Sequence, residues 1–216
     1  MRNNLKELFK NELYCITAED YSNGKSNIDV VKELIASDVK IIQYREKNKK
    51  ALLKYEECLE IRKLTREANV TFIINDDIDI AILIKADGVH IGQEDIPIEK
   101  VRELVGDSVF IGLSTHSPSQ AQDAVKRGAD YIGVGPIFKT QTKVDVVDPV
   151  GLEYLDYVVK DIDIPFVAIG GIKEHNLSKV VSHGAYCVCL VTEIVGADSI
   201  SVKVENVKDI IFNKKS

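Results

Sequence analysis

The chain has 216 residues, 45% hydrophobic and 29% charged, a balance that excludes disordered, collagen-like and disulfide-stapled classes. Lys and Arg number 28 against 34 Asp and Glu, and the formal net charge of −6 provides no basic field to hold a nucleic acid. Apolar stretches such as 131–138 and 164–172 fall short of the roughly 20 residues that a membrane span needs. Neither nucleic acid nor membrane is therefore an expected partner.

Residues 1–12 alternate charge with leucine, which predicts an N-terminal helix and lacks the apolar core of a signal peptide. Short β-branched runs follow, each ending in a small or polar residue: Leu13–Thr17, Ile41–Arg45, Thr71–Asn75, Gly88–Ile91, Phe110–Ser114, Tyr131–Gly135, Phe166–Gly170 and Cys187–Val191. Helical periodicity falls between them, over Ile28–Ala36, Lys49–Ala68, Asp77–Lys85, Ile98–Val105, Pro118–Arg127, Gly151–Val159, Glu174–His183 and Ser199–Phe212. Alternation of this kind implies a parallel sheet. Eight units imply closure into a single (β/α)8 barrel, the TIM barrel, over residues 1–216. An open dinucleotide-binding sheet would need a Gly-rich turn after its first strand, and Cys15–Asp20 has none. The tail, 213–216, is polar and is expected to fray.

Cys15, Cys58, Cys187 and Cys189 are too scattered for a disulfide scaffold, so a cytoplasmic setting is expected. Cys187 and Cys189 would share one strand face, but no second ligand pair follows at zinc spacing.

Barrels of this kind place their chemistry at the C-terminal ends of the strands. The second run ends Gln43-Tyr44-Arg45-Glu46-Lys47, and strand alternation puts Gln43, Arg45 and Lys47 on one face. Two cations there suit an anion such as a diphosphate; the alternative is a solvated charge cluster paired with Glu46. The third run ends Asn75-Asp76-Asp77, with Asp79 beyond, and the fourth is followed by Gln93-Glu94-Asp95. Carboxylates on adjacent strand ends can share a hard cation, and equally Asp76, Asp77 and Asp79 can cap a helix or stabilise its dipole. Ser114 ends the fifth run; Ser117 before Pro118 reads as an N-cap, and His116 has no evident triad.

The long segment Ile137–Val150 carries Lys139-Thr140-Gln141-Thr142-Lys143, either a phosphate clamp or an ordinary polar loop. Gly170-Gly171-Ile172 and Leu190-Val191-Thr192 end the last two runs, where such barrels recurrently bind phosphate. The picture is two anion sites and one cation site at a single mouth. Tyr14 and His90 lie in strands and line either the mouth or the core.

These motifs, taken together and in order, resemble the thiamine-phosphate synthase family. The resemblance runs from Leu13 to Ile194 and rests on Gln43-Tyr44-Arg45-Glu46-Lys47, Ile74-Asn75-Asp76-Asp77 and Gly88-Val89-His90-Ile91-Gly92-Gln93-Glu94-Asp95. Gly133-Val134-Gly135-Pro136-Ile137-Phe138, Thr140-Gln141-Thr142-Lys143 and Ala168-Ile169-Gly170-Gly171-Ile172 complete it. It implies a cytoplasmic enzyme of thiamine biosynthesis that joins hydroxymethylpyrimidine diphosphate to thiazole phosphate, with Mg2+ as cofactor and two small phosphorylated substrates as partners. A homodimer is left open.

The same resemblance implies that Gln43, Arg45, Lys47, Asn75, Ser114 and Lys143 meet the pyrimidine diphosphate. Arg45, Lys47, Ser114 and Lys143 would serve catalysis. Asp76 and Asp95 would hold the metal, and Thr140, Thr142, Gly171, Val191 and Thr192 the thiazole phosphate. The chain departs from the family pattern at Lys139, where a proline or small residue is usual, and at Glu193, expected to bring negative charge near a phosphate. A related thiazole tautomerase, a phosphosugar isomerase or epimerase, and a non-catalytic phospho-ligand sensor are the rival readings; the intact Thr140-Gln141-Thr142-Lys143 and Asn75-Asp76 with Asp95 favour the synthase.

Overall fold

In the computed structural model, residues 2–10, 12–140, 142 and 147–212 are described. Eight parallel strands close on themselves in sequence order: β1 (Glu12–Ile16), β2 (Ile41–Tyr44), β3 (Thr71–Asn75), β4 (Gly88–Ile91), β5 (Phe110–Thr115), β6 (Tyr131–Val134), β7 (Phe166–Ile169) and β8 (Cys187–Cys189). The helices are α1 (Arg2–Phe9), α2 (Asn27–Ala36), α3 (Ala51–Glu67), α4 (Ile78–Ile84), α5 (Ile98–Val105), α6 (Pro118–Lys126), α7 (Gly151–Asp161), α8 (Glu174–Ser182), α9 (Val191–Val195) and α10 (Ile200–Phe212). The predicted barrel is the observed one.

Burial on both faces explains why the strands read as nearly unbroken apolar runs. Ile42, Phe72, Ile74, Val89, Ile111 and Ile132 point outward into the layer shared with the helices. Tyr14, Ile16, Ile41, Ile73, Tyr131, Val167, Cys187 and Cys189 form the other cluster, inside the barrel. Each fully buried aliphatic side chain stabilises by about 1.5–3 kcal/mol. Helix α1 closes the bottom: Leu5 and Phe9 are buried in the interior cluster, and the Phe9 ring lies 5.0 Å from that of Tyr131.

Local signals set the helix starts. Ser26 accepts the Asp29 N–H at 3.1 Å ahead of α2, and Ser117 accepts the Gln120 N–H at 3.3 Å ahead of α6, with Pro118 in its first turn. The largest departures from the expected boundaries lie at the C-terminal rim. Strand β2 stops at Tyr44, so Arg45 and Lys47 ride on the loop beyond it instead of sharing a strand face with Gln43. The run expected to be a strand through Val191 ends at Cys189, and Val191–Val195 turns into α9, burying Ile194 and Val195. A one-turn 3-10 helix over Glu19–Tyr21 was not anticipated.

Candidate active site

Register brings the C-terminal strand ends together. Ile16 pairs with Gln43, Asn75 with His90, and Ser114 with Gly133. Gln43 is buried and donates from Nε2 to the Tyr14 hydroxyl at 2.8 Å. Just beyond β2, the Arg45 N–H donates to Thr17 Oγ1 at 3.0 Å, which anchors the loop to the end of β1. The Arg45 Nε is buried with no hydrogen-bond partner among the described residues. The Nε of Arg62, at the opposite rim, is in the same condition, and either nitrogen can still donate to an acceptor. Lys47 is exposed and reaches the Asp76 carboxylate at the end of the neighbouring strand.

Asp76 sits at φ +61°, outside the region L-residues prefer, with its N–H bonded to the His90 carbonyl at 3.0 Å. This left-handed turn at the end of β3 carries the carboxyl over the mouth. Burial, with the Asp95 carboxylate alongside, pushes the Asp76 carboxyl above its ordinary range, against the pull of Lys47. Asp95 itself accepts the Gly92 N–H at 2.6 Å, which folds the turn after β4 back toward β3. Two carboxylates in mutual repulsion, plus oxygen ligands from a substrate, are a donor set that fits a hard divalent cation. Among the described residues no group of three or more His, Cys, Asp and Glu forms a metal cluster.

The remaining acidic residues have other duties. Both Asp77 oxygens accept from Lys54, at 2.7 and 2.8 Å, and Asp77 makes no side-chain cap for α4. Asp79 accepts the N–H of Ile80. Glu46 accepts the Glu19 N–H at 3.0 Å, which differs from the alternative reading of a cluster paired with its neighbouring cations.

Asn75 is buried at the end of β3. Ser114 is half-buried; its Oγ lies 2.9 Å from His90 Nε2, and its carbonyl accepts from Gln93 Nε2 at 2.7 Å. His116 lies with Nδ1 2.5 Å from the Gly135 carbonyl, fastening β5 to the turn after β6.

A second corner forms where the segment after β6 runs beside the end of β7. Ile137 and Phe138 donate to the carbonyls of Ile169 and Gly170, each at 2.9 Å. Gly171 has φ +65°, and a Cβ there would lie 2.6 Å from the carbonyl oxygens of Phe138 and Lys139, so only glycine permits this approach. It draws Lys139 and the following Thr140 onto the Gly171 corner. Thr140 and Thr142 lie with their hydroxyls 3.2 Å apart. Lys143 falls outside the described residues.

On the other side of Gly171, the Lys173 ammonium donates to Thr192 Oγ1 at 3.1 Å and pairs with Glu193 at 3.0 Å. Glu193 also accepts the Glu174 N–H at 3.4 Å. Burial alone would raise this carboxyl, but Lys173 and that N–H prevail and hold it below the ordinary range. The negative charge expected from Glu193 is therefore met by Lys173, a cation the sequence did not single out because it follows the Gly-Gly turn by two residues. Val191 and Thr192 open α9 on the same corner.

A family model described as thiamine monophosphate synthase matches residues 13–194. A thiamine-phosphate synthase of Pelotomaculum thermopropionicum is 61% identical over 214 residues, 99% of this chain and 98% of the relative. One from Lawsonia intracellularis is 54% identical over 93% of each chain. Among solved structures, a thiamine phosphate pyrophosphorylase from Pyrococcus furiosus superposes with a TM-score of 0.87 at 34% identity, covering 96% of this chain and 98% of that one.

Proposed function

Because the chain belongs to the thiamine monophosphate synthase family, transferases of thiamine biosynthesis, we propose that its barrel mouth joins hydroxymethylpyrimidine diphosphate to thiazole phosphate, or to its carboxylated tautomer with release of carbon dioxide, by a dissociative reaction. The observation that carries this reading is the Asp76–Asp95 pair with Lys47 upon it, beside a loop where Arg45, two residues before Lys47, keeps a buried Nε with no hydrogen-bond partner among the described residues. Together they combine a place for a hard cation with cations for a diphosphate.

Gln43, Arg45 and Lys47 hold the diphosphate, and Asn75 and Ser114 orient the pyrimidine. Asp76 and Asp95 would hold Mg2+, which when bound offsets the charge of the departing pyrophosphate. The bond between the ring methylene and the diphosphate breaks with its electron pair going to pyrophosphate. Arg45 and Lys47 stabilise that developing charge. The electron-rich aminopyrimidine carries the positive methylene until the thiazole nitrogen supplies the new bond. No side chain acts as a covalent nucleophile. Thr140, Thr142, Gly171, Val191 and Thr192 hold the thiazole phosphate so that its nitrogen faces the pyrimidine. Lys143 takes part on the strength of the motif resemblance alone.

The test is a product assay on purified protein with both substrates, with and without magnesium, following thiamine phosphate by oxidation to fluorescent thiochrome. Magnesium-dependent product is expected. Absence of product from folded protein, with a known synthase active alongside, would overturn the reading in favour of a thiazole tautomerase or a phospho-ligand sensor.

A further inference from the structure

Two residues assigned to the pyrimidine diphosphate, Gln43 on β2 and Ser114 on β5, lie on different sides of the barrel. A continuous line of side-chain contacts through the interior joins them. Gln43 Nε2 meets the Tyr14 hydroxyl at 2.8 Å, and Tyr14 meets Tyr131 at 2.9 Å. Tyr131 meets His90 Nδ1 at 3.0 Å, and His90 Nε2 meets Ser114 Oγ at 2.9 Å. Tyr14 and Tyr131 are 1% and 0% exposed, so these hydroxyls have no bulk water to turn to.

Room for the line is built into the strands. A Cβ on Gly112 would lie 2.1 Å from the Tyr131 ring and 2.5 Å from His90 Nδ1. No other residue at that position lets the phenol and the imidazole meet.

One direction gives every hydroxyl hydrogen in the line an acceptor within it. The Gln43 amide nitrogen can only donate, so Tyr14 accepts there, and of the contacts in this line Tyr131 is the one left to take the Tyr14 hydrogen. Tyr131 then gives its hydrogen to His90 Nδ1. Burial holds both phenols above their ordinary range, so each retains a hydrogen to give. An imidazole that accepts at Nδ1 carries its hydrogen at Nε2 and donates it to Ser114. Ser114, accepting on that side, is left to donate outward.

We propose that Tyr14, Tyr131 and His90 are positioning residues that hold His90 as its neutral Nε2–H tautomer and thereby turn the Ser114 hydroxyl hydrogen toward the bound pyrimidine diphosphate. The inference rests on the substrate assignment of Ser114 above. It adds that Ser114 acts as an enforced donor and that the enforcement originates at Gln43, so a diphosphate ligand and a ring-orienting hydroxyl are coupled across the barrel.

The test has two arms. Histidine-selective nitrogen-15 labelling of the full chain, with His90 assigned by its loss in His90→Gln, reads the tautomer without any substrate. The Nε2–H form is expected in the wild type, with a shift toward the Nδ1–H form in Tyr131→Phe. An Nδ1–H or doubly protonated wild-type ring, or an unchanged tautomer in Tyr131→Phe, overturns the inference.

The kinetic arm expects Tyr131→Phe to lower kcat by about 10- to 100-fold with the KM for thiazole phosphate unchanged. In a Ser114→Ala background the same substitution should add no further loss, because the hydroxyl it aims is gone. Full additivity of the two losses overturns the inference, since a purely structural defect would be felt in either background. Tyr14→Phe breaks the line one link earlier and carries both arms if Tyr131→Phe does not fold. Failure of the wild type to form product would reject the functional reading while leaving the tautomer result to stand on its own.

Discussion

Asp95 separates two roles that an alanine substitution would confuse. Its carboxylate folds the Gly92 turn by accepting an N–H, and it faces Asp76 as a like charge. Asparagine keeps an acceptor oxygen for the turn and removes the charge. Asp95→Asn should therefore lower magnesium-dependent turnover by at least the roughly 10–100-fold that loss of an outer-shell partner of a metal site costs, while a thermal melt stays within a few degrees of wild type. Wild-type turnover at saturating magnesium would remove Asp95 from the metal pair. Glu12, at the opposite end of β1, offers a test of pH. Burial raises its carboxyl above the ordinary 4.5, against a counter-pull from the Leu13 N–H and Lys208. The folded state thus holds this proton more tightly than the unfolded chain, and stability falls as pH rises from about 4.5 through the raised value. Glu12→Gln mimics the neutral form. It should melt higher than wild type at pH 7, with the difference vanishing below the ordinary carboxyl range; an equal gain at all pH values would assign the effect to something other than charge.

At the scale of elements, the segment after β6 and the turn after β7 act as one unit, because Gly171 lets two backbones meet. Gly171→Ala forces a Cβ against two carbonyl oxygens at a positive φ. It should cost about 1–3 kcal/mol and raise the KM for thiazole phosphate several-fold with little change in that for the pyrimidine diphosphate. Equal rises for both substrates would place the corner outside a dedicated phosphate site. Strand existence was legible in the sequence because burial on both faces writes each strand as an apolar run. Strand ends were less so, since Val191 continues the apolar run of β8 while Ile194 and Val195 fold it into a helical turn. Gln43, Asn75, Asp76 and Ser114 were legible as strand-end polar residues. Lys173 was not, because its proximity to Thr192 depends on how the turns after β7 and β8 meet. The Tyr14–Tyr131–His90 line was only half legible. Tyr14 and His90 stood out as polar residues in strands, but their meeting at Tyr131 depends on register accumulated across five strand pairings.

Across the whole molecule the two ends of the barrel are built for different purposes. The N-terminal rim repeats one device. Asp87, just before β4, accepts the Phe72 N–H of β3 at 2.8 Å and takes both arms of Arg62 from α3. Asp130, just before β6, accepts the Ile111 N–H of β5 at 2.9 Å and pairs with Arg102 from α5. In each, an aspartate staples its own strand to the preceding one, and an arginine from a surrounding helix holds the staple. The C-terminal rim has the opposite character, with a left-handed aspartate and a repelling carboxylate pair. A charge at the lower rim should therefore be worth stability, and one at the upper rim activity. Asp130→Asn keeps the shape and removes the charge that Arg102 and the Ile111 N–H share. Hydrogen bonds to a charged group are worth roughly 1.5–3 kcal/mol, and Arg102 remains partly solvated, so a loss of about 2–3 kcal/mol in denaturant unfolding is expected. kcat and both KM values should hold within about twofold under conditions where the variant is folded, because residues far from the site and without shared partners act independently. Set against Asp95→Asn, which should alter turnover and spare the melt, the pair forms a crossed test. A variant at the lower rim that lost turnover while fully folded would mean that strain passes up the strands to the mouth, and the separation of the two ends would fail.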